Sequence, residues 1–207
     1  MRVLLVDDHA VVRKGMKAIL EDGMPSVTVI EASDGQQAVD LLDETISAVV
    51  LDLSMPGRGG MEVLGDIRER LPKVPVLIMS LHSEETFAVR ALRAGAAGYL
   101  TKSAAPDQLV AAVAKVSRGG RYLSESIAER LAADVGGNHT GPAHERLSDR
   151  EFDVMRAIAS GKTVSEIAEV MNLSVKTVST YRARLLEKLQ MSTNAEVTRY
   201  AIENKLV

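Results

Sequence analysis

The sequence contains no cysteine and no tryptophan, and aromatic residues make up only 3% of its 207 residues. Without cysteine there are no disulfides and no thiolate metal sites, which is typical of proteins from a reducing compartment. With few aromatics, any core must be aliphatic, and a hydrophobic content of 46% is enough to build one. Neither a secretory signal nor an apolar run long enough to span a membrane is recognisable, so we expect a cytoplasmic protein without a membrane partner.

Over the first part of the chain, short apolar segments alternate with amphipathic ones. Strands are predicted at Arg2–Val6, Val27–Ile30, Ala48–Asp52, Val76–Met79 and Gly98–Leu100. A segment with helical periodicity follows each strand. This alternation predicts an α/β fold, a doubly wound five-stranded parallel sheet with helices on both faces.

Beyond about residue 120 the pattern changes. A short helix is predicted from Ser124 to Ala133, and the glycine-rich stretch that follows predicts a linker. Every later element is helical, with N-cap signals at Ser148, Thr163, Ser174 and Thr193. We therefore expect a first domain over 1–120, a linker with a short helix over 121–146, and an all-α four-helix domain over 147–207.

Polar side chains stand where four of the predicted strands end: Asp7 and Asp8, Asp52, Ser80, and Lys102. The carboxyl ends of parallel strands meet at one edge of a sheet, where open α/β folds bind ligands. Clustered carboxylates repel one another, so a bound cation is needed to offset their repulsion. Mg²⁺ is the expected ion, because it prefers hard oxygen ligands. A carboxylate beside a metal, an ammonium and a hydroxyl can accept a phosphoryl group. For Asp52 taken alone, capping of the following turn is an equally good interpretation.

Together these motifs resemble the signature of a two-component receiver domain with a flavodoxin-like fold. The matching residues are Asp7-Asp8, Asp52 with Met55-Pro56, Ser80, and the run from Gly98 to Lys102. The resemblance implies that Asp52 accepts the phosphoryl group from a sensor histidine kinase and that Lys102 pairs with the phosphate. It also implies that Ser80 and Tyr99 are the switch residues. Mg²⁺ would be held by Asp8, Asp52 and the backbone carbonyl of Ser54, with Asp7 acting through metal-bound water.

Two positions depart from the receiver pattern. Ser103 follows Lys102 where the family usually has a proline, often in a cis bond, so this bond is expected to be trans or strained. Leu81 follows Ser80 where a small residue is usual, and we hypothesise that it slows hydrolysis of the acyl phosphate. The positions that would tune dephosphorylation are Ser54, Leu81 and His82, although His82 is equally compatible with an ordinary surface histidine. We interpret His9 as an ordinary histidine as well.

In the tail, residues 163–171, a turn at Asn172 and residues 174–190 predict a helix–turn–helix. On the last of these helices, Val178, Leu185 and Leu189 share one face and predict a core contact. The opposite face is polar and basic, as a major-groove helix requires, although a solvated face would have the same pattern.

This tail resembles the LuxR-type DNA-binding domains through Leu147–Glu151, Ile167-Ala168, Leu173-Ser174, Lys176–Val178, Arg184 and Lys188-Leu189. The resemblance implies that three residues face DNA bases: Ser179, Thr180 and Ala183. It places five residues against the DNA backbone: Lys176, Thr177, Tyr181, Arg184 and Lys188. On the last helix, the implied dimer contacts are Val197, Tyr200 and Ala201.

A receiver followed by a LuxR-type tail resembles the NarL/FixJ class of response regulators. The implied function is a phosphorylation-dependent transcriptional regulator, not an enzyme, which binds double-stranded promoter DNA as a homodimer. One alternative is an Asp-nucleophile phosphohydrolase, but such enzymes typically place a second aspartate where this chain has Ser54. The other alternative is a DNA-binding regulator that does not depend on phosphorylation.

Overall fold

The structure is a computed structural model, which describes residues 1–80, 84–135, 142–204 and 206–207. The chain divides into two compact units, Met1–Asn138 and His139–Val207. In these described ranges, no helix combines the length and the apolar character needed to cross a membrane.

The first unit is built on five parallel strands in the order β2-β1-β3-β4-β5. The strands are β1 Arg2–Val6, β2 Thr28–Ala32, β3 Ala48–Asp52, β4 Val76–Ser80 and β5 Gly98–Thr101. The helices are α1 Ala10–Gly23, α2 Gly35–Asp40, α3 Gly60–Arg70, α4 Glu84–Arg93, α5 Pro106–Val116 and α6 Glu125–Val135. The predicted α/β fold with a five-stranded parallel sheet is confirmed.

Alternation along each strand places apolar side chains on both faces of the sheet. On one face, Val3, Leu5 and Val50 pack with Met16 and Leu20 of α1 and with the apolar side of α5. The intervening strand residues are equally buried on the other face. Strand β2 begins and ends later than predicted, because its pairing with β1 matches Thr28 to Arg2 and Ala32 to Val6.

Residues 121–135 belong to the first unit. Tyr122 forms a parallel bridge with Gly98 at the free edge of β5, and α6 contacts α4. A side chain at Gly98 would meet the backbone oxygen of Tyr122 at 2.7 Å, so the close approach of this segment requires glycine. Part of the segment that the sequence predicts as a linker therefore packs against the receiver-like sheet.

The second unit is helical. Its elements are a 3₁₀ helix Ala143–Arg146 and the α-helices α7 Asp149–Ala159, α8 Val164–Val170, α9 Val175–Leu189 and α10 Asn194–Glu203. The N-caps of the four α-helices are the predicted ones, Ser148, Thr163, Ser174 and Thr193. Three of them form complete capping boxes with a glutamate three residues later.

One of these glutamates also joins two helices. Glu151 Oε2 accepts the N–H of Ser148 at 2.7 Å and contacts Lys188 Nζ of α9 at 2.6 Å. The Glu151 side chain is 3% exposed and that of Lys188 is 40% exposed. Burial alone would raise the pKa of Glu151, but the bonds from Lys188 and Ser148 outweigh it, so the pKa lies below its ordinary value of 4.5.

This pair predicts a pH-dependent contribution to stability. A carboxyl group whose folded pKa is lowered stabilises the fold above its unfolded pKa and loses that contribution as the pH falls through the folded value. At pH 7, Glu151→Gln should lower the free energy of unfolding by about 1 kcal/mol, a modest amount because solvent reaches the lysine. Thermal unfolding followed by circular dichroism should show this difference shrinking below about pH 4.5.

Glu187→Gln is the matched control, because Glu187 is an exposed glutamate on the same helix as Lys188. A Glu151→Gln deficit that stays constant down to pH 3.5, roughly one unit below the ordinary pKa of a glutamate, would show that the carboxylate charge is not its cause.

Candidate functional site

The acidic residues after β1 and β3 come together at the carboxyl edge of the sheet. Strand order reverses at β1, whose neighbours are β2 and β3, and such switch points open a crevice beyond the strand ends. Asp7 is fully buried, Asp52 is 1% exposed and Asp8 is partly exposed. The structure thus brings together the three carboxylates that the sequence analysis predicted to cluster.

Lys102 closes one side of this cluster. Its Nζ lies 2.6 Å from Asp52 Oδ2 and 2.7 Å from Asp7 Oδ2, and the side chain is only 4% exposed. Burial by itself would lower the pKa of Lys102, but the hydrogen bonds and charges of Asp52 and Asp7 more than offset it, so the pKa lies above its usual value. Lys102 is therefore held as an ammonium beside the oxygens of Asp52.

The remaining carboxylate oxygens face the other side of the cluster. Asp7 Oδ1 accepts the backbone N–H of His9 at 2.8 Å, and Asp52 Oδ1 accepts that of Ser54 at 3.0 Å. One ligating atom each from Asp7, Asp8, His9 and Asp52 lie within 4.8 Å of one another. Three carboxylates against one ammonium leave an excess of negative charge that a divalent cation would balance.

A cation would also satisfy a buried carboxylate oxygen that lacks a well-formed hydrogen bond among the described residues. Asp8 Oδ1 is a buried oxygen that accepts no hydrogen bond of good geometry from the described part of the chain. Oxygen donors of this type are the ligands that Mg²⁺ prefers. The residues present therefore fit a hard divalent ion.

The predicted switch residues are both buried. Ser80 ends β4 with no exposed surface, and Tyr99 of β5 is 1% exposed. The Tyr99 ring already lies inside the unit, and its backbone N–H donates to the carbonyl of Tyr122 at 3.1 Å. Leu81 and His82, predicted to tune dephosphorylation, lie outside the described residues. All peptide bonds in the described ranges are trans, including that between Lys102 and Ser103.

Two residues near the site were not identified from the sequence. A side chain at Gly60, the first residue of α3, would come within 2.1 Å of the backbone oxygen of Asp52. The pair Gly59-Gly60 after the Met55-Pro56 turn was the available signal for this close approach. The second residue is His9, which the sequence analysis treated as ordinary and which lies against the carboxylates.

In the second unit, α8 and α9 form the predicted helix–turn–helix. Asn172 in the turn has φ 52°, a left-handed conformation that asparagine tolerates. Val178, Leu185 and Leu189 are buried, as predicted for the core face. The eight residues predicted to contact DNA are all exposed or partly exposed: Lys176, Thr177, Ser179, Thr180, Tyr181, Ala183, Arg184 and Lys188. Lys188 is paired with a buried carboxylate, that of Glu151.

The predicted dimer contacts on α10 need correction. Val197 and Ala201 have no exposed surface, because they face the core of their own unit and α10 packs on α7. Tyr200 is partly buried, and its hydroxyl contacts His144 Nδ1 at 2.9 Å and accepts the N–H of His144 at 3.2 Å. The exposed side of α10 instead carries Ala195, Arg199 and Ile202.

Comparison with known proteins identifies similar sequences over both units. Residues 3–114 match the family described as "Response regulator receiver domain", and residues 145–201 match "Bacterial regulatory proteins, luxR family". The chain is 39% identical to the response regulator UvrY of Escherichia coli (strain K12), over 100% of this chain and 95% of that protein. It is 36% identical to the response regulator GacA of Pseudomonas aeruginosa, over 100% of this chain and 98% of that one.

Among solved structures, the chain is similar to RcsB from Salmonella enterica serovar Typhimurium, bound to promoter rprA in the presence of the phosphomimetic BeF3⁻. The TM-score is 0.70 at 26% identity, and the match covers 97% of each chain. A second match is a two-component response regulator of the LuxR family from Aurantimonas sp. SI85-9A1. Its TM-score is 0.59 at 39% identity, covering 65% of this chain and 97% of that one.

Because Gly60 lies so close to the end of β3, we expect that adding one methyl group at this position lowers the stability of the fold. Gly60→Ala should push α3 away from the end of β3 and lower the free energy of unfolding by about 1–3 kcal/mol, as overpacking does. Gly65→Ala is the matched control in the same helix, because a side chain there meets nothing within 4 Å. It should leave stability unchanged or raise it by up to about 1 kcal/mol. Equal stabilities of the two variants in urea titrations would contradict the tight contact.

Proposed function

The chain belongs to the response regulators that combine a receiver domain with a LuxR-type DNA-binding domain, and we propose that Asp52 is the residue through which phosphorylation regulates it. The family is one of phosphorylation-dependent transcriptional regulators. The observation that carries the proposal is the position of Lys102 Nζ, 2.6 Å from Asp52 Oδ2 on one side of the acidic cluster.

The proposed reaction transfers a phosphoryl group from a phosphohistidine of a sensor kinase. An oxygen of Asp52 attacks phosphorus, the P–N bond to the histidine breaks, and the imidazole leaves with its electron pair. Lys102 keeps its ammonium beside this oxygen and exchanges part of its contact with the carboxylate for one with the new phosphoryl oxygens. The transfer adds negative charge to a site that is already anionic. The Lys102 ammonium therefore stabilises the site most strongly while the phosphoryl group is being transferred and after it is bound.

We assign Mg²⁺ to the oxygens of Asp7, Asp8 and Asp52 and to the backbone carbonyl of Ser54. When bound, the ion supplies positive charge that offsets the repulsion between the carboxylates and the incoming phosphoryl group. Ser54 also occupies the position where phosphohydrolases carry a second aspartate as general acid, so the chain lacks that group for rapid turnover. We therefore propose a phosphorylated switch and not a phosphatase.

We further propose that the signal leaves the site through Ser80 and Tyr99. Ser80 ends β4 next to Asp52, since Asp52 pairs with Met79 in the sheet. Tyr99 is bonded through its backbone to Tyr122, which precedes α6. A phosphoryl group that attracts the Ser80 hydroxyl would thus shift the balance between two arrangements of the segment that leads to the second unit.

The output of this switch is proposed to be promoter binding by a homodimer. The similar RcsB structure is bound to promoter DNA in the presence of a phosphomimetic. By analogy, α9 would enter the major groove with its exposed face, and two copies would read half-sites about one helical turn apart. The exposed side of α10, with Ala195, Arg199 and Ile202, replaces the buried residues as the proposed dimer contact.

Phosphorylation of Asp52 can be tested with acetyl phosphate and Mg²⁺. Intact-mass spectrometry should show the wild-type chain gaining one phosphoryl group, and Asp52→Asn should gain none because an amide oxygen is a poor nucleophile. The matched control is Asp66→Asn, an aspartate of α3 paired with Arg58 outside the acidic cluster. Promoter affinity should rise with phosphodonor in the wild type and the control only. An Asp52→Asn variant that still gains phosphate, or that still responds to the phosphodonor, would refute the assignment.

The two lysines of α9, Lys176 and Lys188, should behave differently toward DNA. Each lysine that contacts a phosphate contributes roughly −0.9 to the slope of log affinity against log salt concentration. Lys176→Gln should reduce the slope by about this amount, since Lys176 is exposed and its ammonium is available to a phosphate.

Lys188→Gln should change the slope less than Lys176→Gln, because the Lys188 ammonium is already paired with Glu151. It should also lower the melting temperature, because it leaves Glu151 buried without its partner. Fluorescence anisotropy with a promoter fragment and thermal unfolding would measure the two effects. Equal slope changes for the two variants, with unchanged melting temperatures, would show that Lys188 serves mainly as a phosphate contact.

A further inference from the structure

The imidazole of His9 lies directly against the acidic cluster. Its Nδ1 is 2.8 Å from Asp8 Oδ1 and 3.5 Å from Asp7 Oδ1. His9 is the N-cap residue of α1, yet its side chain makes no capping hydrogen bond. The ring is therefore not engaged in starting the helix and points its nitrogen at the carboxylates.

The two oxygens of Asp7 face different side chains. Asp7 Oδ2 lies 2.7 Å from Lys102 Nζ, whereas Oδ1 faces His9. An ion on the His9 side of Asp7 is thus separated from the ammonium by the carboxylate itself. That side also contains Asp8 Oδ1, a buried oxygen without a well-formed hydrogen bond among the described residues.

The distances suit direct coordination. In an octahedral site with ligands about 2.1 Å from the ion, adjacent ligand atoms are about 3 Å apart. The separation of 2.8 Å between His9 Nδ1 and Asp8 Oδ1 is close to this edge length. The candidate ligand atoms of Asp7, Asp8, His9 and Asp52 all lie within 4.8 Å of one another. One ion could contact oxygen and nitrogen together after small side-chain adjustments.

We propose that His9 is a direct metal ligand, which gives this site a preference for first-row transition ions over Mg²⁺. This inference rests on the proposed function, because it concerns the same cation site. Carboxylate oxygens serve Mg²⁺ well, but an imidazole nitrogen adds affinity for ions such as Ni²⁺, Fe²⁺ and Zn²⁺. Imidazole takes a position that a water molecule holds around Mg²⁺, so the Mg²⁺ affinity depends little on it.

The test compares metal binding by the full chain and a His9→Asn variant. Isothermal titration calorimetry gives the dissociation constants of Mg²⁺ and Ni²⁺ separately. Loss of a ligand should weaken Ni²⁺ binding by at least about tenfold, the lower end of what loss of an outer-shell partner costs. The Mg²⁺ constant should stay within about twofold, which also shows that the variant is folded. His139→Asn, outside the segment that matches the receiver family, is the matched control for Ni²⁺ bound at other histidines.

Pulsed electron paramagnetic resonance of bound Mn²⁺ provides a direct readout. Imidazole nitrogen coupling should be present in the wild type and in His139→Asn, and absent in His9→Asn. Equal weakening of Mg²⁺ and Ni²⁺ in His9→Asn would mean that His9 acts only by positioning Asp8, which overturns the proposal. Unchanged Ni²⁺ affinity or retained nitrogen coupling in His9→Asn overturns it as well. Failure of the wild type to bind Mg²⁺ at all would instead count against the proposed function.

Discussion

Repulsion among carboxylates crowded at one edge of a sheet is the constraint on which the first unit depends. Asp7 and Asp52 are almost completely buried, and the Lys102 ammonium contacts an oxygen of each at less than 3 Å. A buried ion pair of this kind is weak evidence for stability, since desolvation opposes the attraction. The proposed phosphorylation explains the arrangement better, because the remaining negative charge would attract a divalent ion and, with it, a phosphoryl group.

The surroundings of this cluster are correspondingly close-packed. The strand ends are held by apolar side chains on both faces of the sheet, and Gly60 lets α3 start against the carbonyl of Asp52. A site embedded in such packing transmits small shifts to neighbouring elements, because close-packed interiors do not deform continuously. The bond between Tyr99 and Tyr122 provides one physical route from the sheet edge toward α6.

The second unit depends on a different constraint, because its short helices must be stabilised by their ends and by packing. Helices as short as α8, with seven residues, are marginal in isolation, so their ends must be satisfied and their apolar faces buried. Capping boxes meet the first need, and buried side chains such as Val178 and Leu185 meet the second. Glu151 adds a link between two helices, because it caps α7 and also pairs with Lys188 of α9. As a result, Lys188, which the sequence predicts to be a DNA contact, also connects α9 to α7 through its pair with Glu151.

Periodicity and capping chemistry are local properties, and for this reason the sequence alone determined the five strands, the helix–turn–helix and all four N-caps. It also placed Asp7, Asp8, Asp52 and Lys102 at one edge, because the ends of parallel strands must meet there. Only the tertiary structure decided the rest, since which face of α10 is buried, how closely Gly60 approaches Asp52 and where the His9 ring points all depend on neighbours distant in the chain. Val197 and Ala201 show the difference: their helical spacing was visible in the sequence, but the side that packs against α7 was not.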